Sequence, residues 1–502
     1  MENKKYQATI GLEIHAELKT KTKMFCCCKN NSDEEKPNVN ICSICTGQPG
    51  TLPVINKQAV KNVLKMGVAL GAKLADFTEW DRKNYFYPDI PKGYQISQYK
   101  YPLITGGKLN GINITRIHLE EDTASSSHNE DFSLVNFNRA GVPLMELVTE
   151  PELHTGKETA DFARELQLLL QYLGAGEANM EKGEMRIEAN ISVSQTEKLG
   201  TKVEVKNINS FKAVEKAVAY EIDRQIQVLE SGEKVVQETR GWNEDKQNTF
   251  SQRLKEDSHD YRYFSDPDLP KFKLSEIPEF TMVNLKKELP ELPWEKRERY
   301  EKDYGIKAVE VEIFVKPGII ADFFEKVCAD FNGDTRPTGS SGRENLIKLA
   351  SNYIISDLLG LINSGSEKTK GNSLRLTEYL IAPRTSLGLL EDRGFANLIK
   401  MVAEAKISSR GAKDILKIMF EHGGEPAEIA EKENLLQKSD LVELEKIAEK
   451  IIAENSKVVA DYKAGKEAAL MSLVGQGMKV TKGSANPQVL KEVFLKLLKN
   501  EI

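Results

Sequence analysis

The chain has 502 residues, with 70 Lys and Arg against 76 Asp and Glu, which gives a net charge of −6. This length exceeds what one hydrophobic core holds, so we expect about two to four domains. No stretch approaches about 18 consecutive apolar residues, and the N-terminus has the features of neither a signal peptide nor a transit peptide. We therefore predict a cytoplasmic protein that does not span a membrane. The acidic balance excludes a uniformly basic nucleic-acid binder but allows a local basic patch, and residues 461–502 carry seven lysines and four acids.

Short strand-like segments separated by turn residues dominate the first 290 residues. Apolar and polar side chains alternate over 185–193 and 201–206, as in half-buried strands. Helical periodicity is present over 159–172 and 210–229, the second with a candidate N-cap at Asn209 or Ser210. Because strands and helices mix without a regular βαβ rhythm, the sequence predicts one α+β domain over 1–290 with a mostly antiparallel sheet.

Beyond residue 290 the strand signals nearly vanish, and helical patterns rich in Glu, Lys, Leu and Ala replace them. Two loop-like segments, 332–342 and 364–372, interrupt these patterns. We therefore predict a helical domain over 291–360 and a helical tail domain over 361–502. The predicted fold class is α+β: a large N-terminal domain with a mostly antiparallel sheet, followed by all-α domains.

Five of the six cysteines lie between residues 26 and 45. Cys26 and Cys28 form one close pair, and Cys42 and Cys45 form another with the C-x-x-C spacing of zinc knuckles. Two such pairs joined by a loop can supply the four thiolates of a structural zinc site. The first pair is tighter than usual, so Cys27 is an alternative ligand, and buried free thiols are the alternative to zinc.

A second group combines acids with a histidine. Glu13, His15 and Glu17 alternate in a strand-like segment, so their side chains share one face. Further acids follow in residues 118–122 and 143–146. If these strands converge, carboxylates and a neutral imidazole would suit a divalent ion such as Mg²⁺. On these residues alone, the more ordinary interpretation is a set of solvated strand faces.

Residues 80–98 mix two adjacent cations with five aromatic side chains and two prolines, which suits neither a helix nor a strand. Arg82 and Lys83 could neutralise phosphate groups. Tyr85 and its two aromatic neighbours could stack on a base or ribose, or could pack the loop down. The residue chemistry favours a loop that binds a ligand.

Polar side chains also alternate on a later strand, at Arg186, Glu188 and Asn190, and Lys206 and Asn207 end the next strand. Such a face is either wetted surface or the lining of a pocket. The sequence contains no G-x-x-x-x-G-K-[ST], no strand-linked G-x-G-x-x-G and no G-x-S-x-G motif. It therefore lacks the sequence marks of a P-loop, a dinucleotide-binding fold and a hydrolase nucleophile.

Taken together, these segments resemble the B-subunit family of the aspartyl/glutamyl-tRNA(Asn/Gln) amidotransferases. The resemblance covers the chain essentially end to end and is weakest over 330–440. One departure is Thr123-Ala-Ser, where the family more often has Ala-Gly-Lys. The motifs that carry the resemblance lie at residues 10–18, 81–89, 94–98, 119–122, 138–146, 200–211, 237–242, 259–264, 473–479 and 482–487.

The resemblance implies an N-terminal cradle domain, a helical domain and a tail domain that contacts tRNA. It also implies a carbon–nitrogen ligase with glutamine as amido donor, in which this chain uses ATP to phosphorylate the side-chain carboxylate of Glu-tRNA(Gln) and/or Asp-tRNA(Asn). Ammonia from a partner amidase, the A subunit of the same complex, then yields Gln-tRNA(Gln) or Asn-tRNA(Asn). A small third chain, the C subunit, makes the complex a heterotrimer. The implied cofactors are ATP, Mg²⁺ and structural Zn²⁺.

Carried over residue by residue, the resemblance implies specific ligands. The implied catalytic and Mg²⁺-binding residues are Glu13, His15, Glu121 and Glu146. The expected ATP- and substrate-binding residues are Arg82, Lys83, Tyr85, Arg186, Glu188, Asn190, Lys206 and Asn207.

Two other functions fit parts of the sequence. A zinc-containing tRNA-binding protein without catalysis would explain the cysteines and the lysine-rich tail, but it leaves the acid-rich segments unexplained. A stand-alone ATP-dependent carboxylate–amine ligase acting on a free metabolite would explain the acids, but it leaves the tail domain without a purpose.

Overall fold

The structure is a computed structural model that describes residues 6–254, 261–332, 342–366, 387, 389–437, 441–481 and 485–500. The chain divides into two compact units, residues 1–293 and 294–502. The first unit carries a large, mainly antiparallel sheet and the second is helical, which confirms the predicted fold class. Among the described residues, no helix is long and apolar enough to cross a membrane.

The described part of the first unit contains the strands, four α-helices and two 3₁₀ turns at Leu274–Glu276 and Pro278–Phe280. Its helices are α1 (Lys57–Ala69), α2 (Gly156–Tyr172), α3 (Phe211–Glu230) and the short α4 (Met282–Lys287). Its strands are β1 (Gln7–Glu17), β2 (Lys73–Leu74), β3 (Phe77–Thr78), β4 (Asp81–Asn84), β5 (Tyr94–Ser97), β6 (Ile104–Thr105), β7 (Lys108–Leu109), β8 (Ile112–Glu121), β9 (Ser125–His128), β10 (Ser133–Asn136), β11 (Pro143–Thr149), β12 (Met185–Ser194), β13 (Val203–Ile208), β14 (Glu238–Asn243), β15 (Asn248–Leu254), β16 (Phe264–Ser265) and β17 (Phe272–Lys273).

The main sheet has the strand order β15-β14-β13-β12-β1-β11-β8-β6-β2, and β7 also pairs with β8. Of its described strand pairs, only β13 and β14 run parallel. A smaller sheet, β16-β4-β5, lies beside it, and β5 contacts β8. The long strands β1, β8, β11 and β12 are therefore neighbours in the middle of the main sheet, where their side chains can meet.

Strand β1 shows why this sheet has one dry face and one polar face. Ile10, Leu12 and Ile14 are at most 1% exposed, whereas the residues that alternate with them include Glu13 and His15. Helix α3 packs against β12, β13 and β15, and α2 packs against α3, so apolar side chains are buried under helices. Each of α1, α2 and α3 begins at a side-chain cap, and the predicted cap Ser210 accepts a hydrogen bond from the backbone of Ala213 at 3.1 Å.

The described residues of the second unit form helices and the segments that connect them. Phe323 and Phe395 pack edge to face, with ring centroids 5.3 Å apart, and so join helices on both sides of residue 360. The last four helices bury a core of their own that includes Leu473, Leu490 and Phe494. The predicted boundaries at 290 and 360 stay predictions. The helices are Pro293–Tyr304, Ala308–Val315, Ile319–Ala329, Gly342–Tyr353, Leu359–Ser366, Asp392–Ala403, Ser409–His422, Pro426–Lys432, Leu441–Glu454, Ser456–Lys463, Glu467–Val480 and Pro487–Asn500, with a π-helical turn at Ile354–Leu358.

Two glycines of helix Glu467–Val480 provide a matched test of the tail core. A Cβ on Gly477 would lie 2.5 Å from Cδ2 of the fully buried Leu490, whereas a Cβ on Gly475 would meet no atom within 4 Å. We expect Gly477→Ala to destabilise the tail helices by about 1–3 kcal/mol through overpacking. We expect Gly475→Ala to stabilise them by about 0.5–1 kcal/mol, because alanine restricts the unfolded chain. Amide hydrogen exchange of residues 441–481 in the full chain measures both effects, and equal protection in the two variants would contradict this packing.

Candidate active site and metal-binding loop

A row of four polar side chains crosses the middle of the main sheet. In the antiparallel register, His15 of β1 lies opposite Arg186 of β12 and Glu146 of β11, and Glu146 lies opposite His118 of β8. Directly opposed residues of antiparallel strands point to the same face. The register therefore brings together residues that lie more than 150 positions apart in the sequence.

Glu146 lies between the two imidazoles of this row. Its Oε2 is 3.3 Å from Nε2 of His15 and 3.3 Å from Nε2 of His118. Glu120, two residues beyond His118, places Oε1 3.6 Å from Nε2 of His15. The side chains of His15, His118, Glu120 and Glu146 are at most 14% exposed, so their charges interact with little screening by water.

The buried acids and imidazoles shift the pKa values of one another. Burial alone would lower the pKa of His118, but the carboxylates of Glu146 and Glu120 raise it to about 9. The pKa of His15 is raised for the same reason, against the opposing effect of burial. Although burial alone would raise it, the pKa of Glu146 is held below its usual range by the two imidazoles. The pKa of Glu13 is raised by burial and by the negative charge of Glu146 and Glu188.

Two overlapping groups of side chains meet the geometric needs of a cation. The ligand atoms of Glu13, His15 and Glu146 all lie within 4.8 Å of one another, and so do those of His118, Glu120 and Glu146. Carboxylate oxygens with one or two imidazole nitrogens are donors that a divalent metal ion accepts. The residues present therefore fit a divalent cation at this point of the sheet.

Cationic side chains border the acids on two sides. Lys206 places Nζ 2.8 Å from Oε2 of Glu188. Arg186 donates to Oδ1 of Asp122 at 3.0 Å, and Arg139 lies 3.4 Å from the other oxygen of that carboxylate. The acids and cations line one cavity of about 830 Å³. This is enough room for a substrate of the size of a nucleotide.

The cavity contains most but not all of the residues expected from the sequence. Those that line it are Glu13, His15, Lys83, Tyr85, Glu146, Arg186, Glu188 and Lys206. Those that do not are Arg82, Glu121, Asn190 and Asn207.

Arg82 and Lys83 point to opposite sides of β4. Arg82 forms ion pairs with Asp266 at 2.8 Å and Asp268 at 3.0 Å, outside the cavity. Burial alone would lower the pKa of Lys83, but the negative charge of Glu120 raises it above its usual range. Of these two cations, Lys83 is therefore the one available to a ligand.

Glu121 lies on the face of β8 opposite Glu120. Its carboxylate pairs with Lys92 and accepts a hydrogen bond from the backbone of Ile96 at 3.0 Å. The parity of β8 explains this, since His118, Glu120 and Asp122 share one face and Glu121 faces away. This alternation can be recognised in the sequence, and it indicates that Glu120, and not Glu121, shares a face with His118.

Asn190 and Asn207 are also absent from the cavity lining. Asn190 shares the face of Arg186 and Glu188 but lies farther along β12, opposite Gly11. In β13, the pairing with β12 shifts register between Ile187 and Ala189, and Asn207 lies in this irregular stretch, exposed and with a backbone φ of 62°. Other lining residues that the sequence analysis did not select include Arg116, His118, Glu120, Arg139, Tyr261 and Tyr263.

The cysteine loop forms a second, separate cluster. The sulfur atoms of Cys26, Cys28, Cys42 and Cys45 all lie within 4.8 Å of one another, whereas Cys27 is exposed and outside the group. The thiol of Cys26 lowers the pKa of Cys45 to about 5 by hydrogen bonding to its sulfur. Four converging sulfur donors fit a tetrahedral zinc ion with no open position.

A cavity with buried carboxylates, bordered by lysine and arginine, is the kind of site that binds a divalent cation together with a phosphorylated substrate. Two family models match the chain: the GatB/GatE catalytic domain over residues 8–278 and the GatB domain over residues 340–498. The chain therefore belongs to the GatB family.

Curated relatives agree with this assignment and confirm the resemblance drawn from the motifs. The chain is 42% identical over 502 residues to the B subunit of the aspartyl/glutamyl-tRNA(Asn/Gln) amidotransferase of Thermoanaerobacter pseudethanolicus, covering 98% of both chains. It is 41% identical over 513 residues to the protein of the same name from Thermotoga petrophila, covering 99% of this chain and 100% of the relative. The corresponding protein of Gloeothece citriformis is 40% identical over 516 residues, with 98% of both chains covered.

Zinc content provides a test of the cysteine cluster. We expect the purified chain to hold one zinc ion, and Cys45→Ser to lose it because a tetrahedral site needs all four thiolates. The matched control is Cys27→Ser, which alters the exposed cysteine of the same loop and should keep the metal. Elemental analysis of the three proteins measures this, and loss of zinc from the Cys27 variant alone would contradict the ligand assignment.

Proposed function

We propose that this chain is the ATP-dependent subunit of a tRNA amidotransferase. It phosphorylates the side-chain carboxylate of Glu-tRNA(Gln) and/or Asp-tRNA(Asn), and ammonia then converts the activated group to the amide. The main support for this function is one cavity in which the lysines Lys83 and Lys206 lie with a buried acid–imidazole group. This group consists of Glu13, His15, His118, Glu120 and Glu146. The family membership supports the same reaction.

The acid–imidazole group is the proposed Mg²⁺ site. Glu13, His15 and Glu146 would hold the ion, with Glu120 in the place that the sequence analysis assigned to Glu121. When bound, Mg²⁺ would neutralise the charge of the phosphate groups. Because the pKa values of His15 and His118 are raised by these carboxylates, an imidazole that binds the ion would first have to release its proton.

The reaction demands that two negatively charged groups approach each other. A carboxylate is a weak nucleophile, and the γ-phosphate of ATP is itself anionic, so the site must neutralise charge and hold the reactants in line. Lys83 is suited to this task because its ammonium group is charged and faces Glu120 and Glu146. Lys206 occupies the corresponding position beside Glu188 and Glu13. We propose that these two lysines contact the phosphates.

The reaction consumes ATP, the substrate carboxylate and ammonia, and it needs no further reactant. A carboxylate oxygen forms a bond to the γ-phosphorus while the bond from that phosphorus to the β–γ bridging oxygen breaks, and ADP leaves. Ammonia then attacks the carbonyl carbon of the acyl phosphate, inorganic phosphate leaves, and the nitrogen loses a proton. A further cationic residue on the cavity wall, Arg186, pairs with Asp122 and lies where a substrate carboxylate could bind.

The other proposed parts follow from the family. A partner amidase, the A subunit, would supply ammonia from glutamine, the small C subunit would make the complex a heterotrimer, and the helical tail would contact tRNA. The four-cysteine loop would hold structural Zn²⁺ rather than take part in chemistry. Since the substrates are charged tRNAs, we propose that the protein works in the cytoplasm.

Adjacent glutamates on β8 provide the sharpest test of this site. The purified complex receives ATP, Mg²⁺, ammonium chloride and Glu-tRNA or Asp-tRNA, and amidated product is followed. We expect Glu120→Gln to lower kcat/KM by at least about 100-fold, because charge in the reaction site is lost. We expect Glu121→Gln to lower stability by about 2–3 kcal/mol, because Lys92 then lacks its buried counter-charge.

The same assay separates the competing functions. Absence of product with either charged tRNA, while tRNA still binds, would favour the non-catalytic binding protein. Product from free glutamate or aspartate at comparable efficiency would favour the free-metabolite ligase. If Glu120→Gln kept full activity and Glu121→Gln lost it in a folded complex, the assignment of Glu120 to the metal site would be wrong.

A further inference from the structure

Four tyrosines form a continuous wall of the cavity. The ring centroids of Tyr85 and Tyr261 lie 5.7 Å apart, and those of Tyr261 and Tyr263 lie 6.0 Å apart, both in edge-to-face geometry. Tyr263 and Tyr99 are stacked, with centroids 4.4 Å apart and an interplanar angle of 10°. All four side chains line the cavity. The wall therefore ends in a pair of parallel rings.

Backbone hydrogen bonds hold this wall in position. The backbone of Asn84 donates to the carbonyl oxygen of Tyr261 at 3.0 Å, and its side chain donates to that of Arg262 at 2.8 Å. Directly afterwards β16 pairs with β4, with Phe264 opposite Arg82. On the other side, the backbone of Tyr99 donates to Oδ2 of Asp81 at 2.9 Å. Both stacked rings are therefore anchored to the small sheet rather than to each other alone.

One face of the Tyr99 ring is left uncovered by the protein. Tyr263 covers one face of its ring, yet Tyr99 is 65% exposed, so the other face is open. An aromatic ring that is fixed in place and stacked on one face only exposes the apolar area of its other face to water. A planar ligand that stacks on this open face would bury that area.

Lys83 lies near both the acidic residues and the tyrosines of the cavity. Its Nζ lies 5.0 Å from the ring centroid of Tyr261 and 6.0 Å from that of Tyr85. Lys83, Glu120 and Glu146 line the same cavity, and the ammonium group interacts electrostatically with both carboxylates. A phosphate held near Lys83 would therefore lie close to both the acid–imidazole group and the tyrosine wall.

We infer that the stacked pair Tyr99–Tyr263 is a platform for an adenine ring. This inference rests on the proposed function, which brings two adenines to the cavity: the base of ATP and the terminal base at the 3′ end of the tRNA. Both are planar and each is joined through a ribose to a reacting group. The stacking chemistry is common to both adenines, and the kinetics of Tyr99 variants distinguish the two sources.

Kinetics of Tyr99 variants test the platform in the intact complex. We expect Tyr99→Ala to raise the KM of one adenine-bearing substrate by about 10- to 100-fold, the range of base–aromatic stacking, with kcat changed less than about threefold. Tyr99→Phe should restore the wild-type KM, because it keeps the ring and removes only the hydroxyl. A rise confined to ATP assigns the platform to the nucleotide, and a rise confined to Glu-tRNA assigns it to the tRNA terminus.

A matched control addresses the possibility that Tyr99 only orders its neighbours. Phe264 is 50% exposed and belongs to the strand that directly follows Tyr263, but it does not line the cavity. We expect Phe264→Ala to leave both KM values unchanged. Unchanged KM values in Tyr99→Ala, failure of Tyr99→Phe to restore them, or an equal rise in Phe264→Ala would each overturn the platform.

Direct binding keeps this inference separate from the proposed reaction. Equilibrium binding of ATP and of Glu-tRNA to the complex is measured for wild type, Tyr99→Ala and Tyr99→Phe without following product. If wild type makes no amidated tRNA but Tyr99→Ala weakens binding of either probe and Tyr99→Phe does not, the platform stands and the proposed function fails. If product forms and all three proteins bind both probes equally, the platform fails alone.

Discussion

The carboxylate of Glu146, held on a central strand between two imidazoles, is the interaction on which the rest of the site depends. A buried carboxylate without partners would be strongly unfavourable, whereas His15 and His118 at 3.3 Å supply both charge and hydrogen bonds. Their positions follow from the register of three neighbouring strands. Because a shift of one residue would turn each side chain to the opposite face, the apolar packing of the other face also fixes the chemistry of this one.

The cysteine loop is attached to the same region. The backbone of Met24 donates to the carbonyl oxygen of Gly141 at 2.7 Å, and Gly141 donates to that of Asp122 at 2.9 Å. Gly141 has a φ of 84°, a conformation that favours glycine. The fully buried Lys23 links the loop further, with Nζ 3.8 Å from the sulfur of Cys45. A metal ion in the loop would thereby steady the end of β8, where Asp122 lines the cavity.

The sequence predicted the parts of the site that depend on local pattern. The alternation of Glu13 and His15 in one strand, and the two pairs of cysteines, are short-range features that directly reflect side-chain geometry. The alternation of β8 would also have distinguished Glu120 from Glu121, but family resemblance selected Glu121 instead. The wall formed by Tyr99 and Tyr263 lay beyond sequence reasoning, since it depends on the pairing of β16 with β4, strands about 180 residues apart in the chain. The fold class could likewise be predicted from local patterns, but the strand order could not. Strand β1 pairs with β11 and β12 rather than with the strands nearest to it in sequence. Such pairing is decided by tertiary packing, which no local pattern records.

Transfer of phosphate from ATP to a substrate carboxylate in this cavity can be followed directly with an isotope. Glu-tRNA labelled with ¹⁸O in both side-chain carboxylate oxygens is converted by the complex with unlabelled ATP and ammonium chloride, and the released inorganic phosphate is analysed by mass spectrometry. If the carboxylate attacks the γ-phosphorus, each amidated tRNA leaves one ¹⁸O atom in one phosphate. Amidated tRNA accompanied by unlabelled phosphate would contradict the proposed reaction, because the carboxylate oxygen would then never have been bonded to phosphorus.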